Sequence, residues 1–158
     1  MTKIQDMSST QRNSWLVVLA DGAVFAWFWQ KMTVGLSPIP IAYDMIEFGK
    51  IVLGVIILTV ILHAVIASIF EFATGSQKSE RDERDVLIER RGAAWGYRIF
   101  QIGVCAVVFG IFWGHVWHES HEVTSVFTSH VEIIFGLMVV SYIADLAKHA
   151  VMLHGYGR

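Results

Sequence analysis

The stretch Ser79-Glu80-Arg81-Asp82-Glu83-Arg84-Asp85-Val86-Leu87-Ile88-Glu89-Arg90-Arg91 is the one strongly charged block in an otherwise oily chain. It divides the apolar runs into two pairs, and its reading decides the fold. Roughly Ser14–Gln30 and Ile46–Phe72 precede it; roughly Ala93–Trp117 and Phe127–Leu153 follow it. A helix needs about 20 residues to cross the hydrocarbon core, and about 17 to 25 are tolerated. The runs predict an all-α chain, a four-helix transmembrane bundle of two helical hairpins in a single membrane domain. The first run is the weakest of the four, because it is short and carries Asp21. Alternating hydrophobicity, which a membrane barrel requires, is absent. Helices remain as the way to satisfy the backbone inside lipid.

Composition points the same way. Of 158 residues 54% are hydrophobic and 16% charged, with a mean hydropathy of +0.53. Soluble domains carry about 25% charged residues, so the water-facing coat is thin. A net charge of -2 excludes nucleic acid as an expected partner, since phosphate neutralisation needs a basic face. Cys105 is the single cysteine, so no internal disulfide forms. The run after the polar start Met1 to Arg12 is followed by no small-residue cleavage site, and a retained anchor is expected.

Lysine and arginine set the expected orientation. Lys3 and Arg12 lie in the N-terminal tail, and Lys78, Arg81, Arg84, Arg90, Arg91 and Arg98 lie in or beside the central block. Only Lys31 and Lys50 flank the first connection, and none lies between the third and fourth runs. The positive-inside rule then puts both termini and the central block in the cytoplasm of a bacterial inner-membrane protein. Trp15 and Trp95 fall at the cytoplasmic edges and Trp27, Trp29, Trp113 and Trp117 at the outer ones, as an aromatic belt. The first outer connection, Lys31 to Asp44, holds Pro38 and Pro40 and reads as an extended strap. Its Leu36, Ile39 and Ile41 are expected on the membrane surface or against the bundle.

Within the charged block, Thr74-Gly75-Ser76 is a helix stop and Ser79 with Asp82 reads as a capping box. Glu80–Arg84 and Arg81–Asp85 are i,i+4 pairs that support an exposed helix. A cytoplasmic helix over about 79–91 is expected, running or kinking into the third membrane helix near Gly92. A solvated charged turn that enforces topology is the plainer alternative. Asp82, Glu83, Arg84 and Asp85, then Ile88, Glu89 and Arg91, then Tyr97, form a pattern over about 20 residues. In that pattern the chain resembles a family of small bacterial four-helix membrane proteins. The resemblance implies the fold and no particular activity.

Gly92, Gly96, Gly103, Gly110 and Gly114 recur at spacings of four and seven and fall on one stripe of the third helix. Small residues let helices approach closely in lipid, so the stripe predicts a tight seam; a flat cofactor against it is the sharper alternative. Leu62-His63-Ala64-Val65 and Lys148-His149-Ala150-Val151 hint at a repeat of the two halves.

Two constellations carry candidate chemistry. Asp21, His63, Asp145, Lys148 and His149 lie inside apolar runs, and Arg98 sits near the start of the third. Counting along the helices places all six within about 15 Å of the cytoplasmic surface. Asp145 and His149 share a face, which Ser141 would extend. Such groups either form a register-fixing ion-pair network or bind a proton or ligand. Haem b held by His63 and His149 is a further reading. The second constellation is His115, His118, His121 and Glu122, with His130 and Glu132 opening the fourth helix. Imidazole and carboxylate at those spacings suit a divalent metal, but they do not make the His-Glu-x-x-His of metalloproteases. A polar interfacial loop with histidines solvated beside the tryptophan belt is the plainer reading, and such histidines could also sense external pH.

No nucleophile–base pair, phosphate loop or paired catalytic carboxylates is legible, so an enzyme is not expected. The leading expectation is an accessory or scaffolding subunit in the lipid bilayer, binding other membrane proteins or a second copy. A haem- or metal-binding redox protein and a small proton-coupled transporter unit are the alternatives.

Overall fold

Four helices form among the described residues: α1 (Ser9–Met32), α2 (Met45–Thr74), α3 (Glu83–His118) and α4 (His130–Tyr156). The computed structural model describes residues 9–36, 40–41, 44–74, 82–118, 127 and 129–157, with the side chains of 9, 70–74 and 114–118 not among them. Three helices are long and apolar enough to cross a membrane, over Met45–Ile69, Glu83–Trp113 and His130–Tyr156. The first does not meet that standard, because its 24 residues include the polar start Thr10 to Ser14 and Asp21.

Helices α1, α2 and α3 outrun their apolar runs. The charged block does not form a separate short helix: from Glu83 onward it is the first part of α3, which continues without interruption through Gly92 to His118. At 1.5 Å per residue its 36 residues reach about 54 Å, well beyond a hydrocarbon core of about 30 Å. The start also differs from the expected capping box. The Asp82 carbonyl accepts from the amides of Asp85 and Val86, so the helix opens at Asp82. Ser79, Glu80 and Arg81 lie outside the described residues.

At α4 the start is later than its apolar run. Ser129 caps the helix: its Oγ accepts from the Glu132 amide at 3.2 Å, and Glu132 Oε2 accepts from the Ser129 amide at 2.9 Å. Two otherwise orphaned donors are thereby satisfied reciprocally. Two residues earlier, Phe127 has a φ of 75°, an unusual conformation for a bulky side chain. Its ring lies between Gly110 of α3 and Gly136 of α4.

The connection after α1 is tighter than a long strap, because Lys31 is still helical. The Ile41 amide donates to the Met32 carbonyl at 2.7 Å, Thr33 bridges Pro40, and the Trp29 indole donates to the Gly35 carbonyl at 3.0 Å. Gly35 takes a φ of 65°, which glycine adopts without strain. Leu36 and Ile41 are exposed, not folded against the helices; Pro38 and Ile39 lie outside the described residues.

Helix α4 is the centre of the packing, with α3 along one side and α1 along another, and α1 in turn against α2. Gly92, Gly96, Gly103 and Gly110 all face α4 or the Phe127 ring. A Cβ at Gly92 would lie 2.9 Å from the Lys148 carbonyl, one at Gly96 would lie 3.1 Å from that of Ala144, and Gly103 faces Val140. The side-chain environment of Gly114 is not described. The apolar core joins the other three helices: Val24, Phe28 and Met32 of α1, Phe48 and Val55 of α2, and Phe135 and Tyr142 of α4. Outward faces are apolar in turn, as at Leu53, Ile57 and Ile61 of α2 and Ile102 and Phe109 of α3.

Candidate functional site

The polar cluster follows from helix length. Asp21 lies twelve residues after the start of α1, His63 eleven before the end of α2, and Asp145 eleven before the end of α4. Each is therefore about 17–18 Å along its helix from one common end of the bundle. Three helices deliver ionisable groups to one level.

There Asp21 is buried, with its side chain 3% exposed. His63 Nε2 lies 3.5 Å from Asp21 Oδ2, an ion pair when the imidazole is protonated. His63 Nδ1 is 2.9 Å from the Thr59 carbonyl oxygen one turn earlier, which fixes the ring and directs Nε2 at the carboxyl. The Asp145 carboxyl neighbours that of Asp21 from α4. Asp145 Oδ1 is 3.7 Å from Lys148 Nζ, and its Oδ2 is 3.7 Å from His149 Nε2. Neither oxygen of Asp21 accepts a hydrogen bond, and His149 Nδ1 also lacks a partner. A buried carboxyl without a donor is costly, so it needs either a proton of its own or a cationic neighbour.

Two further residues complete the ring of contacts, and the sequence reading had passed over both. The Thr59 hydroxyl and the Tyr142 hydroxyl lie 2.9 Å apart across α2 and α4, and Tyr142 is close enough to Asp21 to feel its charge. Tyr142, Asp145 and His149 recur at spacings of three and four, the signal by which Tyr142 was legible. Ser141, expected on that face, instead bonds the Leu137 carbonyl and turns toward α3.

Arg98 stands apart from the cluster. It is exposed, and its guanidinium carbon sits 5.6 Å from the centre of the Trp95 ring. That cation–π contact, one turn apart on α3, holds it at the surface.

The haem reading needs two imidazole nitrogens presented to one iron. Here Nε2 of His63 faces Asp21 and Nε2 of His149 faces Asp145, so each of these nitrogens has a carboxylate where the iron would have to stand. Among the described residues no group of three or more His, Cys, Asp or Glu is placed to hold a metal ion. Of the outer constellation, His121 and Glu122 lie outside the described residues, as do the side chains of His115 and His118. His130 is exposed at the first turn of α4, and Glu132 serves in the helix cap.

The charged block has a docking role at its buried edge. Ile88 packs on Gly155, and the Tyr156 hydroxyl is buried beside Asp85, Glu89 and Thr10. Asp85, Ile88 and Glu89 thus bring the start of α3 against the end of α4 and the start of α1. Asp82, Glu83, Arg84, Arg90 and Arg91 are exposed.

Comparison of the chain with family models, curated proteins and solved structures found no match to any of the three.

Proposed function

We propose that this is a small proton-coupled unit of the bacterial inner membrane, which takes up and releases a proton at the Asp21–His63–Asp145–His149 cluster. The observation that carries the reading is the burial of the Asp21 carboxyl without a hydrogen-bond donor, beside one imidazole and a second carboxyl. Ionisable groups at membrane depth are costly, face the bundle interior or a water-filled cavity, and mark ion and proton pathways. A carboxyl–imidazole pair can pass one proton between its members, and histidine titrates near neutral pH. The proton changes which of α1, α2 and α4 are held together by charge, and so couples protonation to helix packing.

In this reading α1 is the fourth crossing. Its polar residues Ser14 and Asp21 are turned into the protein, and Val17, Val24, Phe28 and Met32 are buried with them. Lysine and arginine placement puts both termini and the charged start of α3 in the cytoplasm.

The test is a count of protons taken up by purified protein between about pH 8 and pH 5, in the window where an imidazole titrates. Uptake falls in Asp21→Asn if the carboxyl takes part. Equal uptake by both proteins would leave a structural ion-pair network.

An accessory or scaffolding role is the second reading. It is favoured by His63, whose side chain is 42% exposed among the outward apolar residues Val60, Ile61 and Val65. A partner helix over that edge would cover the imidazole. Cross-linking from Ile61→Cys in liposomes, in a Cys105→Ala background, would detect a second copy there.

A further inference from the structure

Asp145 touches two environments. On one side its carboxyl neighbours buried Asp21; on the other its side chain, 38% exposed, lines a groove of about 340 Å³ between α3 and α4. Gly96, Tyr97, Phe100, Ser141 and Lys148 line the same groove. Asp21, His63 and His149 do not line it, so Asp145 alone among the four proton-carrying groups meets both spaces.

The groove exists because glycine stands at position 96. With no side chain there, α3 lies against the Lys148 Cβ and the Ala144 carbonyl, leaving Tyr97 and Phe100 to form its far wall. A hydroxyl, a carboxylate and an ammonium gathered on an outward surface cannot face hydrocarbon at low cost. They can face water. At about 30 Å³ per water, the space holds on the order of ten molecules. Its Lys148 end lies beside Gly92 and Met152, one turn or so from the exposed Arg90 and Arg91 at the charged start of α3.

Resting on the proton-binding reading, we infer that the α3–α4 groove is the aqueous entrance to the buried site and that Asp145 is its relay. A hydronium in the groove protonates the Asp145 carboxylate; the resulting carboxylic acid passes that proton to the Asp21 carboxylate, and Asp145 returns to its anionic form. Reversal empties the site. Facing Asp145 are Lys148 and His149 on its own helix, Asp21 from α1 with His63 of α2 behind it, and the Tyr97 side of the groove on α3.

Two measurements on full-length protein in liposomes test this, in a Cys105→Ala background. Ser141→Cys in the groove is compared with Ile102→Cys, at similar depth but on the outward face of α3. A charged, water-soluble methanethiosulfonate should label Ser141→Cys at least tenfold faster. In the second, a pH-indicator dye follows proton uptake after a pH jump. Asp145→Asn should slow uptake at least tenfold, and Asp145→Glu should restore most of it. Equal labelling of the two cysteines, or unchanged kinetics in Asp145→Asn, would overturn the entrance. Failure of the underlying reading looks different: wild-type protein would then show no Asp21-dependent uptake at any rate.

Discussion

Asp21 Oδ2 and His63 Nε2 lie 3.5 Å apart, joining the middle of α1 to α2 through two ionisable groups. Removing His63 leaves the Asp21 carboxyl, 3% exposed, without its neighbouring imidazole. His63→Leu should therefore destabilise the protein by about 3–5 kcal/mol, while Asp21→Leu/His63→Leu should be nearly neutral. Unfolding in mixed detergent, arranged as a double-mutant cycle, reads the coupling. Additive effects would mean that the two residues act independently.

The Thr59–Tyr142 contact is a neutral hydrogen bond between helices, at 2.9 Å. Hydrogen bonds of this kind contribute about 0.6 kcal/mol on average within a membrane. Tyr142→Phe and Thr59→Val should each cost little, and the coupling between them should be of that size. A coupling of several kcal/mol would assign the pair a larger place in the cluster than a positioning contact.

The glycine seam makes a sharper demand. Gly103 faces Val140, whereas Ala106 is exposed on the same helix. Gly103→Leu should cost about 1–3 kcal/mol through overpacking. Ala106→Leu should stay within about 0.5 kcal/mol. Equal tolerance at the two positions would contradict the contact between α3 and α4.

Phe127 closes that seam at its other end. A Cβ at Gly136 would stand 2.6 Å from the phenyl ring, so Gly136→Leu should displace it and destabilise the protein. The same change made in a Phe127→Ala background should cost clearly less, because the ring is no longer in the way. Thermal melts of the four proteins decide this.

Much of the helical layout was legible in the sequence. Apolar runs of membrane length marked α2, α3 and α4, and the spacing of Gly92, Gly96, Gly103 and Gly110 marked one face of α3. The i,i+4 charge pairs also marked the charged block as helix running into α3. Whether it ran or kinked near Gly92 was not legible, because hydropathy changes where Glu83 to Arg91 give way to the apolar run. Asp21, His63, Asp145, Lys148 and His149 were identifiable as ionisable groups in apolar runs. Their partners were not: Arg98 has the same sequence credentials yet stacks on Trp95, and Tyr142 displaces Ser141 on the working face. Helical periodicity places residues on faces of one helix, but which faces meet depends on how helices rotate against one another. No spacing within a single helix carries that information.

Topology is testable independently of the cluster. Reporters fused after Arg158 or at Ser76 should be active only on the cytoplasmic side, as the lysine and arginine asymmetry requires. An external central block would reverse the side from which the α3–α4 groove opens.

The most direct test of proton exchange at the buried cluster is infrared difference spectroscopy of the carboxyl C=O stretch, with pH stepped across the range in which an imidazole titrates, about 5 to 8. The account predicts a titrating carboxyl band in wild-type protein, slow to shift on transfer to heavy water because Asp21 is buried, and absent from Asp21→Asn. A spectrum with no carboxyl change across that range, or one identical in wild type and Asp21→Asn, would contradict it and leave the cluster a fixed ion-pair network.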